Sequence, residues 1–228
     1  MIPIGQASPG FFRWDWVLRN TDAIWDRTLE HVYLTLIAIG VGFVISLVLS
    51  LVALRWRRTY QPITWVTGIL YTIPSLALFA LLVPVTGLSV LTAEIGLVSY
   101  TLLILIRNIV TGIDSVPAEV LESASGMGYT GTRRFWDIEL PLAVPVIITG
   151  IRIATVTVIG LVTVTSLIGL GGLGFFILRG LNTFSSPIGT TQIIVGTVLS
   201  VALAVVADLS LAGLERTLTP WADRRVVE

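Results

Sequence analysis

The sequence predicts an all-α integral membrane protein: five transmembrane helices with one helical loop on the cytoplasmic side. Three observations predict it. Of 228 residues, 54% are hydrophobic and only 12% charged, whereas soluble domains carry about a quarter charged residues. The apolar residues fall into runs long enough to cross a hydrocarbon core of roughly 30 Å. One polar stretch, residues 116–145, interrupts those runs with charges of both signs.

Composition also excludes whole classes. Net charge is zero, so no global field points to nucleic acid as a partner. Cysteine is absent, which rules out disulfides and thiolate metal sites. All fourteen basic residues are arginine, and a Walker-type phosphate loop needs a lysine. ATP and its Mg²⁺ therefore belong to a partner chain if ATP drives this one, and the chain itself is no enzyme.

Residues 1–28 mix Phe11, Phe12, Trp14, Trp16 and Trp25 with Arg13, Asp15, Arg19, Asp22, Asp26 and Arg27. Clustered tryptophans suit a segment lying at the membrane–water interface, and no signal-peptide pattern is present. The first span runs over about 29–54 and stops at Arg55-Trp56-Arg57-Arg58. The second covers about 63–83, with Pro74 inviting a kink and Thr72 and Ser75 able to satisfy the freed carbonyls. The third covers about 88–111, the fourth 142–167 and the fifth 188–214, leaving a tail over 215–228. His31 opens the first span and reads as an interfacial residue, since one histidine without cysteines makes a poor metal site.

Five crossings put the termini on opposite sides. Alternation places Arg55, Arg57, Arg58, Arg133, Arg134, Arg216, Arg224 and Arg225 on one face and only Arg13, Arg19, Arg27 and Arg179 on the other. The positive-inside rule makes the first face cytoplasmic, with the N-terminus outside.

The loop at 116–141 follows from local chemistry. Val116-Pro117 favours an extended residue and then a helix start, and Ala118 to Gly128 can form a short helix. On it Leu121, Ala124, Ser125 and Gly128 share one face of mostly small side chains. Glu119, Glu122, Ser123 and Gly126 share the opposite, acidic face, near the positive end of the macrodipole. After a turn at Tyr129–Thr132, a second short helix carrying Arg133, Arg134 and Trp136 is expected to end at Leu140-Pro141. Such a helix–turn–helix is a docking element; an ordinary solvated loop is the alternative.

Charges inside the spans need partners. Arg152 lies well within the fourth span, Asp208 on the fifth is its candidate partner, and Glu94 lies on the third. Either they fix helix register as ion pairs, or they serve as relay groups of an ion-coupled secondary transporter. Tyr71, Thr72, Ser75, Phe79, Tyr100 and Thr149 can line a path through the membrane or simply pack. The run Gly169-Leu-Gly-Gly-Leu-Gly174 fits a dinucleotide pattern, yet it follows a membrane span and opens no βαβ unit. Its glycines instead suit a tight re-entry beside Phe175 and Phe176.

Glu122-Ser-Ala, then Gly128, then Ile138-Glu-Leu-Pro141 resembles the Glu-Ala-Ala loop of ATP-binding-cassette importer permeases, with Ser123 in place of the usual first alanine. YTIPSLALFA at 71–80, LIRNIVTGI at 105–113, ELPLAVPVIITGIRIA at 139–154 and IGLGGLGFFILRGL at 168–181 are similar to the glycine betaine, carnitine and choline branch. Methionine-importer permeases share the loop and the glycine run. The resemblance implies the type I importer permease fold in a prokaryotic inner membrane, with two cytoplasmic ATPase subunits, a second permease chain and an external substrate-binding protein. It also implies that Glu119, Glu122, Ser123, Ala124, Gly128, Arg133 and Arg134 form the ATPase-coupling site.

Overall fold

In the computed structural model, residues 12–221 are described; the sequence-derived assignments of Phe11, Arg224 and Arg225 lie outside them. Among the described residues the regular structure is helical. A short α1 (Trp14–Arg19) precedes α2 (Thr21–Arg55), α3 (Tyr60–Thr72), α4 (Ser75–Thr86) and α5 (Val90–Asp114). The loop holds α6 (Ala118–Gly126) and α7 (Gly131–Arg134), and α8 (Leu140–Val164), α9 (Gly174–Asn182) and α10 (Pro187–Leu218) follow. Among the described residues four helices are long and apolar enough to cross a membrane, five crossings if the bent pair α3–α4 is one.

Three local expectations are corrected. The second span is not a kinked rod: α3 and α4 meet at 95°, with Ile73 and Pro74 both extended, at ψ of 127° and 132°. Pro74 lacks an N–H and biases Ile73 away from the helical region, so the helix ends there. The first-span helix begins at Thr21 rather than near Leu29, absorbing the polar end of the N-terminal segment. At 35 residues it is about 52 Å long, more than the hydrocarbon core requires. The second loop helix does not end at Leu140-Pro141. It runs on through a π-turn, Phe135–Glu139, into α8, giving one apolar helical run, Gly131–Ile168. The Leu140 N–H reaches back to the Phe135 carbonyl, and this wider register accommodates Pro141, which cannot donate.

The described chain divides into two compact units. One comprises residues 12–37, 74–97 and 158–205. His31 is fully buried in it, correcting its interfacial placement. The Leu173 N–H donates to His31 Nδ1 at 3.3 Å, so Nε2 carries the proton and donates to the Ile159 carbonyl at 3.0 Å. The chain beneath reverses through Gly169, Gly171 and Gly172, all with positive φ, and a Cβ at Gly172 would strike the His31 backbone at 2.8 Å. Phe79 is buried against Gly96. The Arg13 N–H donates to Thr191 Oγ1 at 2.9 Å, tying the segment before α1 to α10.

The other unit comprises residues 38–73, 98–157 and 206–221. In it Gly42 lies over Thr101, while Leu49 and Ala53 pack with Leu102, Ile106 and Val110. The paired numbers rise together, so α2 and α5 run parallel. Against α5, α8 runs antiparallel: Gly150 meets Asn108, and Gly112 meets Ala143. Small residues at these crossings bring backbones close, the usual basis of helix association in lipid. Ile109, Ile113, Ala143 and Ile147 close a core at the foot of the loop.

Candidate coupling site

The loop is built from both ends inward. Pro117 takes φ −58°, ψ 139°, and its carbonyl accepts from the Val120 and Leu121 N–H groups at 3.1 and 3.3 Å, starting α6. At the other end the Gly128 N–H donates to the Ser125 carbonyl at 3.0 Å and the Tyr129 N–H to the Ala124 carbonyl at 3.1 Å. Gly128 has φ +82°. This is the paired bonding of a Schellman C-cap with glycine at the left-handed position. Gly128 is therefore not the last member of a small-residue helix face, as the sequence suggested, but the residue that ends the helix at Gly126.

Only part of the expected inner face is covered. Ala124 is 1% exposed and Val120 and Leu121 are half-buried, whereas Ser125 and Gly128 are exposed with Glu119, Glu122, Ser123 and Gly126. Met127 beside them is 70% exposed; sequence reasoning passed over it. The Ser123 and Ser125 hydroxyls donate to carbonyls one turn back at 2.7 and 2.8 Å, so the acidic face is presented on a helix whose short polar side chains are already engaged.

The second arm is clamped to the first. Thr130 caps α7, its Oγ1 accepting from the Arg133 N–H at 3.4 Å. Arg133 donates to Asp137 at 3.1 Å and sits 4.7 Å over the Tyr129 ring. Arg134 donates through Nε to Glu139 at 2.8 Å and through Nη1 to Ser125 Oγ at 3.2 Å, joining α7 to α6. Arg57 makes a two-pronged pair with Asp114 at 2.6 and 2.8 Å, fixing the end of α5 from which the loop departs. Asp114 was not singled out in the sequence, and Glu139 entered only as a position of the loop signature; the arginines five residues before Glu139 and at the end of the first span were the available signal for their pairing.

The path candidates divide. Tyr71 is 39% exposed and its ring meets Tyr100 edge-on at 5.8 Å; Tyr100 is buried, its hydroxyl donating to the Ile73 carbonyl at the helix break. Thr72 and Thr149 are exposed, Ser75 is half-buried and Phe79 is buried. Thr72 and Thr149 donate back into their own helices, to Ile69 and Pro145.

Arg152 and Asp208 meet: Nε and Nη2 donate to the two carboxylate oxygens at 2.9 and 3.0 Å. Glu215 joins as a second acceptor, from Nη1 at 3.1 Å. The pair is not sealed in the chain, with side-chain exposures of 28% and 36%, and it borders a cavity of about 370 Å³ with Thr149 and Thr157. Glu94 lies in the other unit, buried, and neither carboxylate oxygen has a hydrogen-bond partner among the described residues.

Apolar spans with a capped, exposed helix held between them define a multi-span membrane protein. The chain belongs to the family described as binding-protein-dependent transport system inner membrane component, whose model matches residues 38–220. It is a multi-pass inner-membrane protein of the type I importer permease fold. It is 39% identical over 202 residues to a choline transport system permease protein of Bacillus subtilis, OpuBB, covering 89% of this chain and 91% of that one. A glycine betaine/carnitine/choline permease of the same organism, OpuCB, is 38% identical over 85% of this chain and 88% of its own. The osmoprotectant import permease OsmW of Salmonella typhimurium is 35% identical, covering 90% and 96%. Among solved structures, inward-facing MetNI methionine transporter chains superpose with TM-scores of 0.72 and 0.73 at 20% identity, covering 84% and 91% of this chain and 94% and 100% of theirs. That likeness concerns the fold.

Proposed function

We propose that this chain is the membrane permease of an ATP-driven importer of osmoprotectants: choline, glycine betaine, carnitine or a related quaternary ammonium compound. The observation that carries the cargo class is its 39% identity to a choline permease over nearly the whole of both chains, with further osmoprotectant permeases beside it. A methionine permease is a relative only in fold, at 20% identity.

In this reading α6 is the handle gripped by one of two cytoplasmic ATPase subunits, through Glu119, Glu122, Ser123 and the exposed Met127. Gly128, Arg133 and Arg134 hold that handle at a set angle to α8. Closure of the ATPases moves it, and because α7 continues without a break into the α8 run, the motion passes to the membrane as a rigid body. The loop and C-terminus face the cytoplasm and the N-terminus faces out, where a substrate-binding protein delivers cargo. A second permease chain, identical or paralogous, completes the path. The partly exposed Arg152–Asp208–Glu215 group supports this, since charges within a span should face protein or water rather than lipid. The exposed face of Tyr71 beside Tyr100 suits passage of a cation that needs no hydrogen bonds.

The test is uptake of labelled choline, glycine betaine and carnitine into vesicles holding the permease, its ATPase and the loaded binding protein. ATP-dependent accumulation is expected. Accumulation by the permease alone, driven by a proton or sodium gradient, would overturn the proposal in favour of a secondary transporter using Glu94, Arg152 and Asp208; selective methionine uptake would reassign the cargo.

A further inference from the structure

Where α2 ends beside the second arm of the loop, the unit formed by residues 38–73, 98–157 and 206–221 contains a cavity of about 640 Å³. Its walls are mixed. Leu51, Leu54 and Phe135 are apolar and belong to the ends of membrane-spanning runs; Arg55, Arg57 and Arg134 bring three guanidinium groups, and Glu139 brings one carboxylate. The charge balance there is uneven. Asp114 accepts from Arg57 and Glu139 accepts from Arg134, so both nearby carboxylates are used within the chain. Arg55 is exposed and its side chain makes no hydrogen bond or ion pair among the described residues, and the same holds for the side chain of the neighbouring Arg58.

Uncompensated positive charge therefore sits at the mouth of a partly apolar cavity, at the level where spans leave the hydrocarbon. Trp56 and Trp136, both 59% exposed, are next in sequence to the lining residues Arg55 and Phe135, and tryptophan favours that level of a bilayer. An ATPase surface would meet the charge but has no use for an apolar wall reaching down the spans. A free anion has none either. A lipid of negative headgroup satisfies both halves: its phosphate fits the planar donors of arginine, and its acyl chain follows Leu54 and Leu51 along α2. Basic pockets between spans at a membrane surface are known to take such headgroups.

We propose that this cavity is a specific site for one anionic phospholipid per chain, headgroup on Arg55 and acyl chain against Leu51, Leu54 and Phe135. The bound lipid bridges the end of α2 and the π-turn that joins α7 to α8. The site goes beyond the transport reading and does not depend on the identity of the cargo.

The experiment is native mass spectrometry of the purified permease–ATPase complex, titrated with phosphatidylglycerol or with phosphatidylcholine of the same acyl chains. One phosphatidylglycerol per permease chain should be retained in preference to phosphatidylcholine. Arg55→Gln should weaken that retention about five-fold, the share of one arginine near an anionic surface, and Arg19→Gln, at the arginine-poor end, should leave it unchanged. Thr132→Glu gives a second reading should Arg55→Gln fail to assemble. Thr132 lines the cavity, and an acid in the first turn of α7 is compatible with the helix while repelling the headgroup. Equal retention of both lipids, no loss in either variant, displacement by inorganic phosphate, or exclusion of lipid by the bound ATPase would each overturn the proposal. Uptake assays read the transport function separately, so a failure here leaves that function standing.

Discussion

Gly128 and Gly126 stand two positions apart in the loop and answer to different physics. Gly128 has φ +82° with nothing within 4 Å of a Cβ placed on it, so space is free and only the backbone objects. A side chain in that left-handed position costs about 1–2 kcal/mol. Gly126 is helical and equally open, and alanine there favours the helix by about 1 kcal/mol. Gly128→Ala is therefore expected to loosen the end of α6 and lower ATP-coupled uptake at unchanged membrane abundance, while Gly126→Ala preserves or raises uptake; transport per immunodetected permease is the measurement. Near the N-terminus, the hydrogen bond from Arg13 holds the Asp15 carboxyl below its usual range. A carboxylate of lowered pKa contributes above its unfolded value and loses that contribution as pH falls through the folded one. The local Arg13–Asp15 pair should thus hold unchanged between about pH 5 and 8 and be lost only in acid below the ordinary aspartate range near 3.9. An NMR titration of the Asp15 carboxyl with its midpoint at or above that range would show this to be wrong.

Helices α5 and α8 touch through small residues, and this makes their crossing sensitive to a single methyl. A Cβ on Gly150 would come 2.8 Å from Asn108 Cγ, and Asn108 cannot swing freely because its amide donates to the Ile104 carbonyl at 2.8 Å. Gly150→Ala should destabilise by about 1–3 kcal/mol, seen as a Tm lower by several degrees; Gly160→Ala on the same helix meets open space and should not. Between α8 and α10 the three-member charge group predicts an asymmetry. Asp208→Asn leaves Arg152 with Glu215, whereas Arg152→Gln strands two carboxylates inside a span. Thermal unfolding should rank Arg152→Gln as clearly the worse variant. Equal losses would mean that Glu215 does not act as the second acceptor.

For the whole molecule, α7 continues through the π-turn into α8, and in the proposed function this continuity lets the loop act as a lever. Inserting one residue within Phe135–Glu139 should rotate α6 relative to α8, and is expected to leave ATPase binding in place while abolishing uptake; pull-down and transport on the same preparation separate the two. How much of this could be read in advance depends on range. Periodicity, run length and the Val116-Pro117 and Glu122–Pro141 patterns are local, and they marked the apolar runs and the polar helical stretch between two of them. The 95° break at Ile73-Pro74 was underestimated because a proline in lipid can either kink or end a helix, and the choice depends on what meets the freed carbonyls. Here the Tyr100 hydroxyl, 27 residues away, takes that role by donating to the Ile73 carbonyl. His31 was misplaced for the same reason: its partners, Ile159 and Leu173, are more than a hundred residues distant.

By itself the sequence determined that this chain lives in a bilayer, pointed to about five crossings with a polar helical loop between two of them, and showed no lysine for a Walker-type phosphate loop. Those properties follow from composition, run length and missing residue types, which need no partner in space. Only the tertiary structure decided that Gly128 ends α6, that the second arm is the first turns of the α8 run, and that Arg152 is shared between Asp208 and Glu215. Each of those depends on hydrogen-bond geometry among groups whose directions are set once neighbouring helices have packed.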